Sequence, residues 1–125
     1  MQRNAIIKSG SFVVGNTQSN AVGLNGGNLI GLTVSGSVAS ASAISVTGSA
    51  ISFLTSNDGT NYYSLYDSTG TEVVLLISTT TPRNYALNNT VFYPWNFVIA
   101  REGISASPVA QTGSNIILGF SIQAN

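Results

Sequence analysis

Small turn-forming residues interrupt this chain every few positions, and between them stand only short runs of Val, Ile, Leu, Phe and Tyr. That punctuation constrains the fold more than any other feature. No window of about 11 residues or more carries a 3.6-residue apolar period, so no long helix is expected. Many short strands are expected instead.

The last strand is the clearest. In SNIILGFSIQ, Ile116, Leu118, Phe120 and Ile122 alternate with Ile117, Gly119, Ser121 and Gln123, which places the first set on a core face. WNFVIAR alternates similarly, with Trp95, Phe97 and Ile99 on one face and Asn96, Val98 and Ala100 on the other. Both faces are mostly apolar, which predicts a central strand. NLIGLTV follows the turn signal Asn25-Gly26-Gly27 and predicts Ile30, Leu32 and Val34 pointing inward. SAISFLTS is expected to pair with NYYSLYD across Asn57-Asp58-Gly59, and NYYSLYD with TEVVLLIS across Asp67–Gly70, giving a hairpin over about residues 61–78. Pro108 blocks a central strand in ISASPVAQTG. The serine-rich stretch 35–49 keeps Val38, Ile44 and Val46, and reads equally as an ordered loop or an edge strand. The sum is an all-β fold: an antiparallel β-sandwich or jelly roll of about seven to eight strands. At 125 residues it forms a single domain, 1–125.

Composition removes whole classes of function. Charged residues make up 6% of the chain, against about 25% in an ordinary soluble domain. Arg3, Lys8, Arg83 and Arg101 are too scattered for a phosphate-binding patch, so neither nucleic acid nor an anionic membrane is an expected partner. The longest apolar run, Val73–Ile77, is far shorter than a span of about 20 residues, and the first residues lack the apolar core of a signal peptide. A chain made in the cytoplasm is expected. With no histidine, a Ser-His-Asp triad cannot be built. Asp58, Asp67, Glu72 and Glu102 form no glycosidase pair, and no phosphate-binding glycine loop is present. No enzyme is expected.

TSNDGTNYYSLYDSTG, residues 55–70, invites a calcium reading, but Asp58 has no partner ligand at the spacing a calcium loop needs. Asp67 and Glu72 merely face each other across a turn. The stretch reads as two hairpin corners, and neither metal nor cofactor is expected. Phe92-Tyr93-Pro94-Trp95 reads as a cap on the core or a subunit contact before it reads as a sugar-stacking platform. Tyr62 and Tyr66 are the aromatic pair that would serve a ligand-binding sheet face.

Ser56–Glu72 fits the pattern Ser-x-Asp-Gly-x-x-(Phe/Tyr)-Tyr-x-Leu-Tyr-Asp-x-x-Gly-x-Glu. Arg83, Phe92 and Trp95 follow in order, and then Arg101–Gln111 as Arg-(Ser/Glu)-Gly-x-(Ser/Ala)-Ala-x-Pro-Val-x-Gln. Over about residues 50–122 the chain resembles small β-rich virion proteins of tailed bacteriophages, of the head decoration or cement type. It departs from them where NFVIA is apolar, since their strand after the Trp is usually charged. The resemblance implies a structural protein on the phage head surface that bridges subunits of the major capsid protein. A homo-oligomer, a trimer above all, suits the local three-fold positions of a shell. Low charge agrees with life inside an assembly. The segment 1–28 is the candidate contact arm, separable from the sandwich. Ile6, Ile7, Phe12, Val38, Ile44, Phe92, Tyr93 and Trp95 are the candidate contacts with subunits or capsid. The competing expectation is a carbohydrate- or ligand-binding sandwich of a phage tail or an extracellular protein.

Overall fold

The computed structural model describes residues 5–36, 49–77, 81–87 and 90–124. Ten strands run through them: β1 (Ala5–Phe12), β2 (Val22–Gly23), β3 (Asn28–Val34), β4 (Ser49–Ser56), β5 (Tyr63–Ser64), β6 (Val74–Ile77), β7 (Arg83–Ala86), β8 (Phe97–Ile104), β9 (Ser107–Pro108) and β10 (Ile116–Gln123). The described residues contain no helix. The strand total exceeds the seven or eight expected because three of the ten are two-residue pairings too brief to leave an alternation in the sequence.

The strands form two antiparallel sheets. The first has the order β1-β10-β3-β7; the second has β2-β8-β4-β5, with β6 also on β4 and β9 on β8. The sheets enclose one hydrophobic cluster drawn from both, including Leu32, Leu118 and Phe120 from the first and Ile51, Phe53 and Val98 from the second. This is the expected all-β, sandwich-like architecture.

β10 lies between β1 and β3, and its alternation is the one expected: Ile116, Leu118, Phe120 and Ile122 are all buried. Gly10 of β1 makes room for the Phe120 ring, since a Cβ at Gly10 would stand 2.6 Å from the ring's Cε1. In β3 the inward set is Leu29, Leu32 and Val34, not Ile30, Leu32 and Val34. The register explains the correction. Leu29 faces Ile122 and Gly31 faces Ser121, so Ile30 is an extra residue in a bulge and the alternation changes phase there.

β4 is buried at all eight positions. Ile51 and Phe53 face the core, while Ala50, Ser52 and Leu54 face outward and are covered by neighbouring segments. β8 is central as expected, with Val98 and Ala100 fully buried and Phe97 and Ile99 half-buried. The expected hairpin over 61–78 takes another form. β5 and β6 both pair with β4, at Leu54–Thr55 and Ser49–Ser52 respectively. They act as one strand interrupted by an excursion over 65–73, closed by the Tyr66–Glu72 bridge, with Leu65 at its start buried in the core. Both expected corners are present, with Gly59 at φ 75° and Gly70 at φ 82°, values that favour glycine.

Of the expected arm 1–28, the described residues 5–28 are not set apart from the sandwich. Over Ala5–Phe12 it is the edge strand of the first sheet, in register with β10 from Ala5–Gln123 to Phe12–Ile116. Val22 and Leu24 then enter the core, and β2 joins the second sheet. Phe12 anchors the segment because its side chain is fully buried.

Candidate functional site

The expected contact residues divide by position. Phe12 and Phe92 are core side chains with no exposed surface and cannot meet a neighbour. Phe92 packs edge-on against Phe53, ring centroids 5.0 Å apart at 85°, and plugs one end of the sandwich. Trp95 is half-buried against the same core, whereas Tyr93 is exposed. Ile6 and Ile7 are exposed on β1. Val38 and Ile44 lie outside the described residues.

Antiparallel register decides what the outer face of the first sheet presents, because directly opposed residues share a face. Ser11 faces Ile117, Ser9 faces Gly119 and Ile7 faces Ser121. Gly119 in turn faces Thr33, and Thr33 faces Asn84. These side chains point away from the core residues that alternate with them. The outer face is therefore built from small uncharged residues, and none of its described positions in β1, β10, β3 and β7 is charged. Lys8 and Arg83 fall on the alternate positions, opposite Phe120 and Val34. Lys8 bends to the end of the sandwich, where its Nζ donates to the Gly23 carbonyl at 2.7 Å. Ile7 and Ile117 are 66% and 64% exposed on the outer face. Ile117 is a site residue the sequence reading passed over, although its place opposite the core set of β10 marked it.

The free edge of β1 is partly guarded. The Asn20 side chain accepts from the Ser11 N–H at 3.1 Å and donates to the Ser9 carbonyl at 3.4 Å, imitating a neighbouring peptide group. The Ile7 backbone, two residues before Ser9, points to the same edge.

The segments Ser56–Glu72 and Arg101–Gln111 meet on the outer side of the second sheet. Arg101 projects from β8, where it is 5% exposed. Its Nε donates to Ser52 Oγ at 2.9 Å, one Nη to Ser64 Oγ at 3.0 Å and the other to Glu72 Oε2 at 2.8 Å. Glu72 Oε2 also accepts from the Ser105 N–H at 3.0 Å. Gln111 is buried and donates to the carbonyls of Thr112 and Ser114. The motif's charged and amide groups hold turns and strands together.

Its two aspartates do the same locally. Asp58 Oδ1 accepts from Ser56 Oγ and from the backbone N–H of Thr60 and Asn61, and Oδ2 accepts from Asn61 Nδ2. Those donors, the Asn61 and Thr60 amides first, hold the carboxyl far below the usual carboxylate range. Asp67 accepts from the hydroxyl and N–H of Thr69 and the N–H of Thr71, and its carboxyl is likewise lowered, chiefly by the Thr69 hydroxyl. No group of three potential metal-ligating His, Cys, Asp or Glu side chains occurs among the described residues.

Tyr62 and Tyr66 serve different surroundings. Burial, and then the Asp58 charge, pushes the Tyr62 hydroxyl's pKa up. The Tyr66 hydroxyl reaches Ser105 Oγ at 3.4 Å. The aromatic beside Asp58 that stands open to solvent is Tyr63, at 73% exposure. With Trp95, Ser56, Asp58 and Asn61 it lines a depression of about 310 Å³ where β4 ends. A second depression, about 440 Å³, is lined by residues 15–19 and offers neither an aromatic nor a charged group.

No family model, curated protein or solved structure matches this chain.

Proposed function

We propose that this is a structural virion protein of a tailed phage, a decoration or cement protein on the head surface. In this reading it is made in the host cytoplasm and binds the assembled shell as a homo-oligomer, most simply a trimer at a local three-fold position. It bridges subunits of the major capsid protein and does no chemistry. The observation that carries the reading is the outer face of the first sheet: uncharged at its described positions across four strands, and bearing two exposed isoleucines.

Such a face meets another protein at low desolvation cost, because no unpaired charge has to be buried. Its contact would be modest per copy. Stabilisation then comes from mass action, since the protein binds the closed lattice and not the free subunits. Many copies acting on one shell multiply the effect. The resemblance over about residues 50–122 supplies the particular setting.

The test is to locate the chain in purified particles. Cryo-electron microscopy of the native virion should show it outside the head, and light scattering on the purified chain should give an oligomer. A chain that is monomeric at high concentration and absent from heads excludes the cement role.

A further inference from the structure

We propose that the depression between Tyr63 and Trp95 is a binding site for one neutral sugar ring. It lies where β4 ends at Ser56 and the chain enters β8 at Phe97, two residues that face each other in register.

Three properties select the ligand. Two aromatic side chains line the site, and one of them, Tyr63, keeps 73% of its surface in water although it stands on a strand. Aromatic faces pack against the C–H faces of a pyranose. Beside them, Asp58 Oδ2 accepts a single hydrogen bond from the described residues, from Asn61 Nδ2 at 2.7 Å, and keeps a lone pair for a ligand hydroxyl. A hydroxyl bound to an ionised carboxylate makes a charge-assisted hydrogen bond, stronger than a neutral one. The ionised Asp58 also repels phosphorylated and carboxylated ligands. At about 310 Å³ the site is near the lower end of the roughly 300–1,000 Å³ of small-molecule sites, which suits a single ring.

The site is also held in place before any ligand arrives. The Asn96 N–H donates to the Ser56 carbonyl and its side-chain amide to the Asn57 carbonyl, each at 3.1 Å. Ser56 Oγ accepts from the N–H groups of Asp58 and Gly59. The inner side of Trp95 packs on the core. Binding then orders little, which preserves affinity. Every lining group belongs to the second sheet or its connections, so occupancy leaves the first sheet's outer face free and does not depend on the virion reading.

Trp95 is the chain's single tryptophan, so its fluorescence reports on this site alone. The experiment titrates the full chain with methyl glycosides of glucose, galactose, N-acetylglucosamine and rhamnose. Saturation-transfer NMR on the same mixtures gives a second readout. At least one glycoside should produce a saturable change. Tyr63→Ala, which removes the stacking face, and Asp58→Asn, which removes the charged acceptor, should each weaken that glycoside at least tenfold while each variant keeps a cooperative melt near neutral pH. The proposal is overturned by any of three results: no saturable change at about ten times a Kd of about 1 mM; an affinity that neither substitution alters; or saturable binding of adenosine, an aromatic probe, with none of the glycosides bound. Shell attachment and oligomeric state are measured separately, so failure here leaves the proposed function standing.

Discussion

Arg101 holds the Glu72 carboxylate at 2.8 Å on the outer side of the second sheet, with the two side chains only 6% and 15% exposed. The pair fastens the 65–73 excursion to β8, and through the Ser105 N–H it also fastens the turn that leads to β9. Removing one partner strands the other charge in a covered site. Glu72→Gln and Arg101→Met should each destabilise by about 3 kcal/mol, and the double variant Glu72→Gln/Arg101→Met by less than the sum of the two. Denaturant titration of the three variants measures this. Strict additivity would show that the two residues act independently.

Phe120 is fully buried in β10 and its ring overlies Gly10. Phe120→Ala should cost about 3 to 5 kcal/mol, the usual loss for a buried aromatic. Gly10→Ala should also destabilise, because the new methyl meets the ring. Phe120→Leu should make the Gly10→Ala change cheaper. A thermal melt left unmoved by Phe120→Ala would place the core elsewhere.

Both lowered aspartates give a defined acid response. Their folded-state pKa values lie below the ordinary 3.8, so the unfolded chain binds protons first as pH falls. The stability they contribute is complete above about pH 5 and declines as pH drops through 3.8 toward the depressed values. Asp58→Asn should flatten the melting temperature between about pH 4 and pH 2 while changing little of the fold near neutrality. Carboxyl chemical shifts followed by NMR should show Asp58 still ionised where an ordinary aspartate is protonated. An ordinary midpoint for Asp58 would contradict the hydrogen-bonded turn.

Ile7 and Ile117 lie on one uncharged face, four positions apart along β1 by register, or about 13 Å. On the cement function proposed above, Ile7→Lys and Ile117→Lys together should reduce oligomerisation at a given concentration and weaken attachment to particles, with little effect on melting. Truncation tests the N-terminal segment differently. Removing residues 1–14 takes away β1 and Phe12, and should unfold the sandwich. Sedimentation velocity and circular dichroism separate the two outcomes. Intact oligomers in the double lysine variant would move the interface off this face.

The parts of the fold legible in the sequence were those governed by alternation and turn chemistry. Ile116 to Ile122 gave the core face of β10, and Asn57-Asp58-Gly59 gave a corner, because both signals are local. The bulge at Ile30 was not legible, since an extra residue is visible only against the partner strand. The shared edge of β4 was missed for a similar reason: β5 and β6 each look like half of a hairpin until their common neighbour is known. Phe12 and Phe92 read as contact residues because an aromatic outside a clear alternation, as in Ser11-Phe12-Val13-Val14 or Val91-Phe92-Tyr93, fits surface or core equally. Arg101 and Glu72 stood in recognised motifs, but 29 positions separate them, and no local rule pairs charges over that distance.

The place of β10 bears on how the chain is born. Among the described strands it comes after both β1 and β3, the two that must flank it, and Ala5 meets Gln123 across a separation of 118 positions. Such high contact order predicts slow folding. During synthesis the first sheet has no centre until residues 116–123 have been made, so β1 must wait, unpaired and bearing two exposed isoleucines, for its partner to emerge. Lys8-Ser9-Gly10-Ser11 breaks the apolar run of that strand, an interruption of the kind that lowers the aggregation tendency of an unpaired strand.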